Sequence, residues 1–267
     1  MGKRRSINTH KSVARKIALG YGRGEGLSYK PFISGHEFAS TGRYVRLTGR
    51  TIPRMYCFMS GLEADAFIYY DCMPDVSDLL EQYYDTLEET LEISDLLHVR
   101  HPFSGKYYNP VTTDLLIRKG NVWIARAVKS SRDLEDRRTL EKLEIERVYF
   151  ERHGIDWKII TEKELNRDLV QNLNWLWYEA SCEQSVHDPQ AESVFQQWYD
   201  EDLLPFPTLL DRIELLFHLP PGGGVSVFKS LLRKDKIQID LTKPRNMLNP
   251  RCPIERRVPD ERYRSYC

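Results

Sequence analysis

The sequence predicts an α/β fold over its first part and a small, mainly helical unit after it. Three observations carry this. Residues 107–131 read as strand, turn and strand, YYNPVTTDLLIRKG and then NVWIARAVKSS. A long amphipathic helix and a further strand, IDWKIIT, follow directly. From residue 162 onward helical periodicity dominates. A chain of 267 residues, 41% hydrophobic, suffices for two modest domains with real cores. The boundary is expected between 165 and 185, with domains at 1–168 and 169–267.

The elements follow in order. The basic start leads into GYGRGEG, residues 20–26, expected as a flexible arm or an exposed turn. It fits neither a phosphate-binding loop nor a dinucleotide fingerprint, because no strand precedes it and no Lys–Ser/Thr pair follows. RYVRLTGR (43–50) and IPRMYCFMS (52–60) suggest short strands. LEADAFIYY (62–70), after Ser60–Gly61, is a helix with acids in its first turn, where the dipole favours them. Glu63 and Asp65 lie two apart on it, so only one faces a cleft. Residues 75–97 mix extended and helical signals. Asp136–Gly154 reads as a helix with Leu140, Leu143, Val148 and Phe150 on or near its apolar side, closed by Gly154. Residues 162–180, 191–204, 207–219 and 225–235 are helical, PPGGG makes a turn, and KIQIDLTKP (236–244) alternates as a strand. Helices ending in a short strand suggest a winged-helix-like module.

Charge excludes some classes and favours another. The 39 basic residues balance 39 acidic ones, yet residues 1–50 hold 11 Lys/Arg against two acids, and residues 51–100 hold two against 11. Residues 226–267 are again basic, with 11 against five. Cationic ends around a dense carboxylate segment suit a metal-dependent nuclease, which needs one surface for phosphates and one pocket for metal. A solvated tail explains a basic end equally well. No stretch reaches the length of a membrane span and the start has no secretory pattern. Five scattered cysteines without a CxxC pair argue against a disulfide scaffold or a zinc knot and for a reducing, intracellular setting.

Three side chains stand out: Glu63 on the acidic helix, Asp114 in VTTDLLI, and Lys129 at the end of ARAVKSS across the hairpin. An aspartate on one strand and a lysine near the end of its neighbour form the core of restriction-type nuclease sites. There carboxylates bind a divalent metal that activates water, and the lysine orients water or offsets phosphate charge. Oxygen ligands favour Mg²⁺ or Mn²⁺ over zinc. The same two residues also read as a strand acid and its salt-bridge partner. Glu141, Glu144 and Glu146 are expected on the outer face of the long helix, supporting the site at most. Arg137 and Arg138 are candidate phosphate contacts or partners of nearby glutamates. Lys229, Arg233 and Lys234, with Lys236, form a candidate basic patch in the C-terminal unit. Trp175, Trp177 and Tyr178 are expected to pack in a core rather than stack on bases.

The run VTTDLLI…AVKSSRDLEDRRTLEKLEIERVYFERHGIDWKIITEKELN…NLNWLW closely resembles the TnsA family, the endonuclease subunits of heteromeric cut-and-paste transposases. The likeness covers residues 107–177 and extends to SGLEADAFIYYD at 60–71. It implies a restriction-endonuclease-like catalytic domain and a winged-helix-like C-terminal domain. It implies cleavage of the 5′ ends of a transposon by a Mg²⁺-dependent enzyme, with Mn²⁺ able to substitute. Partners would be double-stranded DNA at the transposon ends, the DDE-type transposase subunit TnsB and the AAA+ regulator TnsC, in a bacterial cytoplasm. The family's acidic helix residue falls on Glu63, its strand aspartate on Asp114 and its catalytic lysine on Lys129. Its further metal-contacting Gln or Glu falls on Ala127, where this chain departs. The backbone carbonyl of Val128 remains available to a metal. A self-contained restriction or repair nuclease, a catalytically inactive architectural subunit and a winged-helix regulator with an inert N-terminal domain are the alternatives.

Overall fold

Four strands build the sheet on which the first part of the chain is organised. In the computed structural model, which describes residues 10–33, 44–104, 107–179 and 188–246, their order is β3 (Val76–Tyr84), β6 (Thr112–Lys119), β7 (Val122–Val128) and β8 (Asp156–Ile160). β3, β6 and β7 pair antiparallel, β6 and β7 through the Gly120–Asn121 turn. β8 joins β7 in parallel, so the chain must cross over between them. The crossover is α4 (Arg137–Arg152), capped by Asp136, whose side chain accepts from the Thr139 N–H.

α4 buries Ile145, Tyr149 and Phe150 against Leu80, Leu116 and Ala125 of the sheet and Ile93 of α3 (Leu87–Leu96). Its buried stripe also holds Leu143 and Glu146. Leu140 is 45% exposed, contrary to expectation, while Glu146 is 5% exposed and faces inward. Residues 75–97 resolve into β3 and α3. The hairpin β1 (Val45–Thr48) and β2 (Met55–Phe58) leads into α2 (Gly61–Asp71). Tyr56 and Phe58 pack tilted against the Phe67 ring, with centroids 4.4 and 4.9 Å away, and fix α2 to that hairpin. The short pair β4 (Phe103–Ser104) and β5 (Tyr107–Tyr108) precedes β6.

The glycine-rich run after α1 (His10–Ala18) is a docked turn, not a free arm. Arg23 bridges Lys30, and the Gly26 N–H reaches Asp78 Oδ2 at 2.7 Å. At Gly22, with φ +71°, a Cβ would lie 2.4 Å from that of Tyr84, so only glycine lets the turn pack on β3.

The chain divides into two compact units, Met1–Leu165 and Asn166–Cys267. The division falls at Asn166, whose side chain caps α5 (Arg167–Trp177) by accepting the Leu169 N–H. Helices α6 (Pro189–Asp200), α7 (Phe206–Leu216) and α8 (Gly223–Arg233) complete the second unit. Phe195, Phe206 and Phe228 meet at its centre, 4.9 to 6.4 Å apart, with Trp175 of α5 beside Phe228. α8 passes so close to α7 that a Cβ on Gly224 would stand 2.6 Å from the Leu210 carbonyl oxygen.

The strand expected over 236–244 does not form. Ile237, Ile239 and Leu241 are buried in alternation as the pattern demands, but the segment carries only an isolated bridge residue at Ile239. Asp240 Oδ1 accepts the N–H and hydroxyl of Thr242, turning the chain there. The mixed α/β class therefore holds, with a helical second unit that shows no strand among its described residues. Residues 1–9 of the basic start and the tail after 246 lie outside the described residues. No described helix is long and apolar enough to cross a membrane.

Candidate active site

Asp114 sits on β6, where β6 is flanked by β3 and β7. Its Oδ2 accepts the Val128 N–H at 2.7 Å and the Lys129 ammonium at 2.6 Å, and its Oδ1 accepts the Gln82 amide at 3.3 Å. Lys129 begins where β7 ends, and its Nζ also donates to the Val128 carbonyl at 2.9 Å. Burial alone would push the Lys129 pKa down. The Asp114 carboxylate outweighs it and holds the ammonium above its ordinary value. Lys129 is therefore a cation at neutral pH, with one of its three N–H donors free of these two bonds.

Glu63 arrives from the first turn of α2 through a Ser-x-x-Glu capping pattern. Its N–H donates to Ser60 Oγ at 3.1 Å, and its carboxylate accepts from Ser60 Oγ at 3.0 Å and from the Met59 N–H at 3.1 Å. Asp65 points to solvent while Glu63 is 8% exposed. Burial first, then the charge of Asp114, push the Glu63 carboxyl up to about 7. Glu63 thus stands within electrostatic reach of Asp114.

Behind this pair lies a second set of buried acids. Glu146 Oε1 accepts from Thr113 Oγ1 at 2.7 Å and from Trp157 Nε1 at 3.0 Å. Burial and then Asp114 push it up to about 7. Asp85, fully buried, faces the same Thr113 hydroxyl, and burial followed by Glu146 raises it well above the usual carboxylate range. A cleft of about 310 Å³ opens beside Lys129, walled by Val111 and Thr112 on one side and Thr139, Lys142, Leu143 and Glu146 on the other.

The donors here fit a hard divalent cation. The Glu63 oxygens, Asp114 Oδ1 and the Val128 carbonyl are all oxygen, and each keeps a lone pair beyond its hydrogen bonds. Burial first, and then the Asp114 charge, raise Glu63, and a bound cation would offset both. Among the described residues no group of three or more His, Cys, Asp or Glu side chains forms a metal cage, so a backbone carbonyl and water would have to complete the shell. His101 is a core residue, bonded to Thr90 Oγ1 at 3.1 Å and to the Pro102 carbonyl.

The structure brings together Asp114, Lys129 and Val128 directly and Glu63 electrostatically. Arg137 and Arg138 lie at the start of α4 and both pair with Glu141, at 3.1 and 2.8 Å, Arg137 being 93% exposed. The expected basic patch in the second unit is displayed only in part, through the exposed Lys234 and Lys236. Lys229 is 2% exposed with its ammonium over Trp175, and Arg233 donates to the Leu176 carbonyl and lies over Trp177. Lys234 pairs with Glu192 at 2.6 Å. These cations hold their own unit together, because aromatic rings and a buried carboxylate engage them. Sequence reasoning missed Gln82 and Asp85 and set Glu146 on the wrong face. A polar residue breaking the buried stripe of a helix was the one available signal.

A family profile described as TnsA-like endonuclease N terminal matches residues 73–162, a stretch that holds Asp114, Lys129 and Glu146. Over 250 residues the chain is 28% identical to the transposon Tn7 transposition protein TnsA of Escherichia coli, covering 91% of this chain and 90% of that protein.

Proposed function

We propose that this chain is a TnsA-type endonuclease subunit of a cut-and-paste transposase, hydrolysing one phosphodiester at each 5′ end of the transposon during excision, a reading supported by its likeness to the TnsA-like endonuclease profile and to the Tn7 protein. The observation that carries the chemistry is the Lys129–Asp114 contact at 2.6 Å on adjoining strands. Glu63, Asp114 and the Val128 carbonyl would hold Mg²⁺, or Mn²⁺ in its place. When bound, the ion supplies activation of water and offsets charge on the scissile phosphate. Asp114 fixes the Lys129 ammonium, and Lys129 turns its remaining N–H to the attacking water or a phosphate oxygen. Ala127 offers no donor, so the site works with fewer side-chain ligands.

Double-stranded DNA at the transposon ends is the substrate. Arg137 is free to leave Glu141 for a phosphate, with Arg138 beside it. The helical second unit is read as winged-helix-like, a reading supported by the α7–turn–α8 pair. With Lys229 and Arg233 engaged inside their own unit and Lys236 exposed, the unit serves partner contact as well as DNA. The partners are the DDE-type transposase TnsB and the AAA+ regulator TnsC, in a bacterial cytoplasm.

The test is strand-resolved cleavage of end-containing DNA in Mg²⁺, with and without the partner transposase, for wild type, Asp114→Ala and Lys129→Ala. Cuts on the 5′ strand that need the partner and both residues are expected. Variants that cut like wild type would sink the assignment of the site, and cutting at a fixed sequence without partners would indicate a restriction enzyme.

A further inference from the structure

The grip on Asp114 is two-sided, and only one side comes from Lys129 and Val128. We propose that Gln82 is a positioning residue for the hydrolysis, holding the Asp114 carboxylate in its working orientation from the β3 side. This rests on the nuclease reading above.

Bonds from the Val128 N–H and Lys129 both fall on Oδ2. With bonds on one oxygen only, a small rotation about Cβ–Cγ displaces Oδ1 while those bonds merely stretch. The Gln82 amide reaches the other oxygen, Oδ1, and removes that freedom. The amide is itself oriented. Thr112 donates its hydroxyl to Gln82 Oε1 at 3.1 Å, which leaves the NH₂ end facing Asp114. Thr112, Gln82 and Asp114 thus form a directed chain whose first member lines the cleft beside Lys129.

The backbone points the same way. Gln82 lies within β3 at φ +49°, the left-handed region that favours glycine. Side chains alternate along a regular strand, yet Leu80 and Tyr83, three apart, both pack against the α4 cluster. On β6, Leu116 joins that cluster while Thr113, also three away, bonds Glu146 of α4. The alternation breaks on both strands around Gln82 and Asp114. The Gln82 carbonyl leaves the ladder to accept the Phe32 N–H at 3.2 Å. Glycine would satisfy that backbone with less strain. Such strain persists where a side chain is needed at that place, and it collects at functional sites.

Glycine at this position therefore separates the roles. Gln82→Gly keeps the left-handed backbone and removes the amide. Its melting temperature should equal or exceed that of the wild type. In the complete cleavage system with the partner transposase its kcat should fall at least about tenfold with KM for end DNA unchanged. Half-maximal thermal stabilisation by Mg²⁺, read without DNA, should need several-fold more of the ion. Gln82→Met, which fills the space without an amide, should cleave like Gln82→Gly. Thr112→Val should show a smaller, few-fold loss in kcat. Wild-type kcat in both Gln82 variants, beside an inactive Lys129→Ala, overturns the proposal and spares the nuclease reading. A lowered melting temperature with kcat intact makes Gln82 structural and also overturns it. Wild-type cleavage by Asp114→Ala and Lys129→Ala removes the premise as well.

Discussion

Two buried glutamates, one in each unit, have been treated in opposite ways. Glu192 of α6 is 3% exposed and accepts from Lys234 at 2.6 and 2.7 Å and from Ser230 at 2.7 Å. Burial raises its pKa, but those bonds outweigh burial and hold the carboxyl below its ordinary value. Glu146 of α4 is as well buried and accepts only from neutral donors, Thr113 and Trp157, and it is pushed up to about 7. Glu63 is pushed up likewise. The second unit uses its charge to join α6 to α8. The first leaves several carboxylates around one lysine with too little positive charge. That imbalance is what the proposed site requires, because shifted acids collect where a cation or substrate completes the charge.

Removing a lysine from each unit should break this comparison most visibly. Lys129→Met should cut 5′-strand cleavage by about 10²- to 10³-fold, the usual loss when one preorganised electrostatic donor is removed. Its thermal stability should change little, because Asp114 keeps the Val128 N–H and the Gln82 amide. Lys234→Met should do the reverse in stability. It leaves Glu192 buried with Ser230 alone, and denaturant unfolding of the second unit should lose about 1–2 kcal/mol, discounted because part of Lys234 is exposed. A stability loss of that size for Lys129→Met, with cleavage intact, would erase the distinction between the units.

How far the sequence shows this difference depends on the length over which each feature is specified. Asp114 and Lys129 were legible because a two-residue turn sets the β6–β7 hairpin and local pairing brings them together. Glu63 was legible through its own helix turn. Glu146 was not, because a carboxylate in a buried stripe reads as the polar face until the strand beneath supplies Thr113. Gln82 was not, because a left-handed residue inside a strand leaves no mark when it is not Gly or Asn. Lys229 and Arg233 of α8 read as part of a surface patch because their partners, Trp175 and Trp177, lie tens of residues upstream. In 236–244 the alternation correctly foretold which residues are buried. It could not tell whether a neighbouring strand was there to pair with them.

The smallest effect carries the comparison to its sign. A carboxyl held below its unfolded value adds stability above that value, and the contribution disappears as pH falls through the folded pKa. Glu192 is of this kind. A carboxyl held above its unfolded value does the opposite. The folded chain binds the proton more tightly, so stability declines as pH climbs from about 4.5 toward about 7, the range between the ordinary and raised values of Glu146. Melting temperatures of Glu146→Gln and Glu192→Gln, each taken against wild type from pH 4 to pH 8, should therefore diverge in opposite directions. Glutamine at 146 keeps an acceptor for Thr113 and Trp157 and carries no charge. That variant should gain on the wild type as pH rises and lose the gain near pH 5. Glutamine at 192 should fall below the wild type at neutral pH, with the gap closing as the medium turns acid. The shift in each case should be a few degrees at most, since one group is changed. Parallel curves for the two variants would mean that both glutamates are staples, and that the first unit's acids are compensated after all.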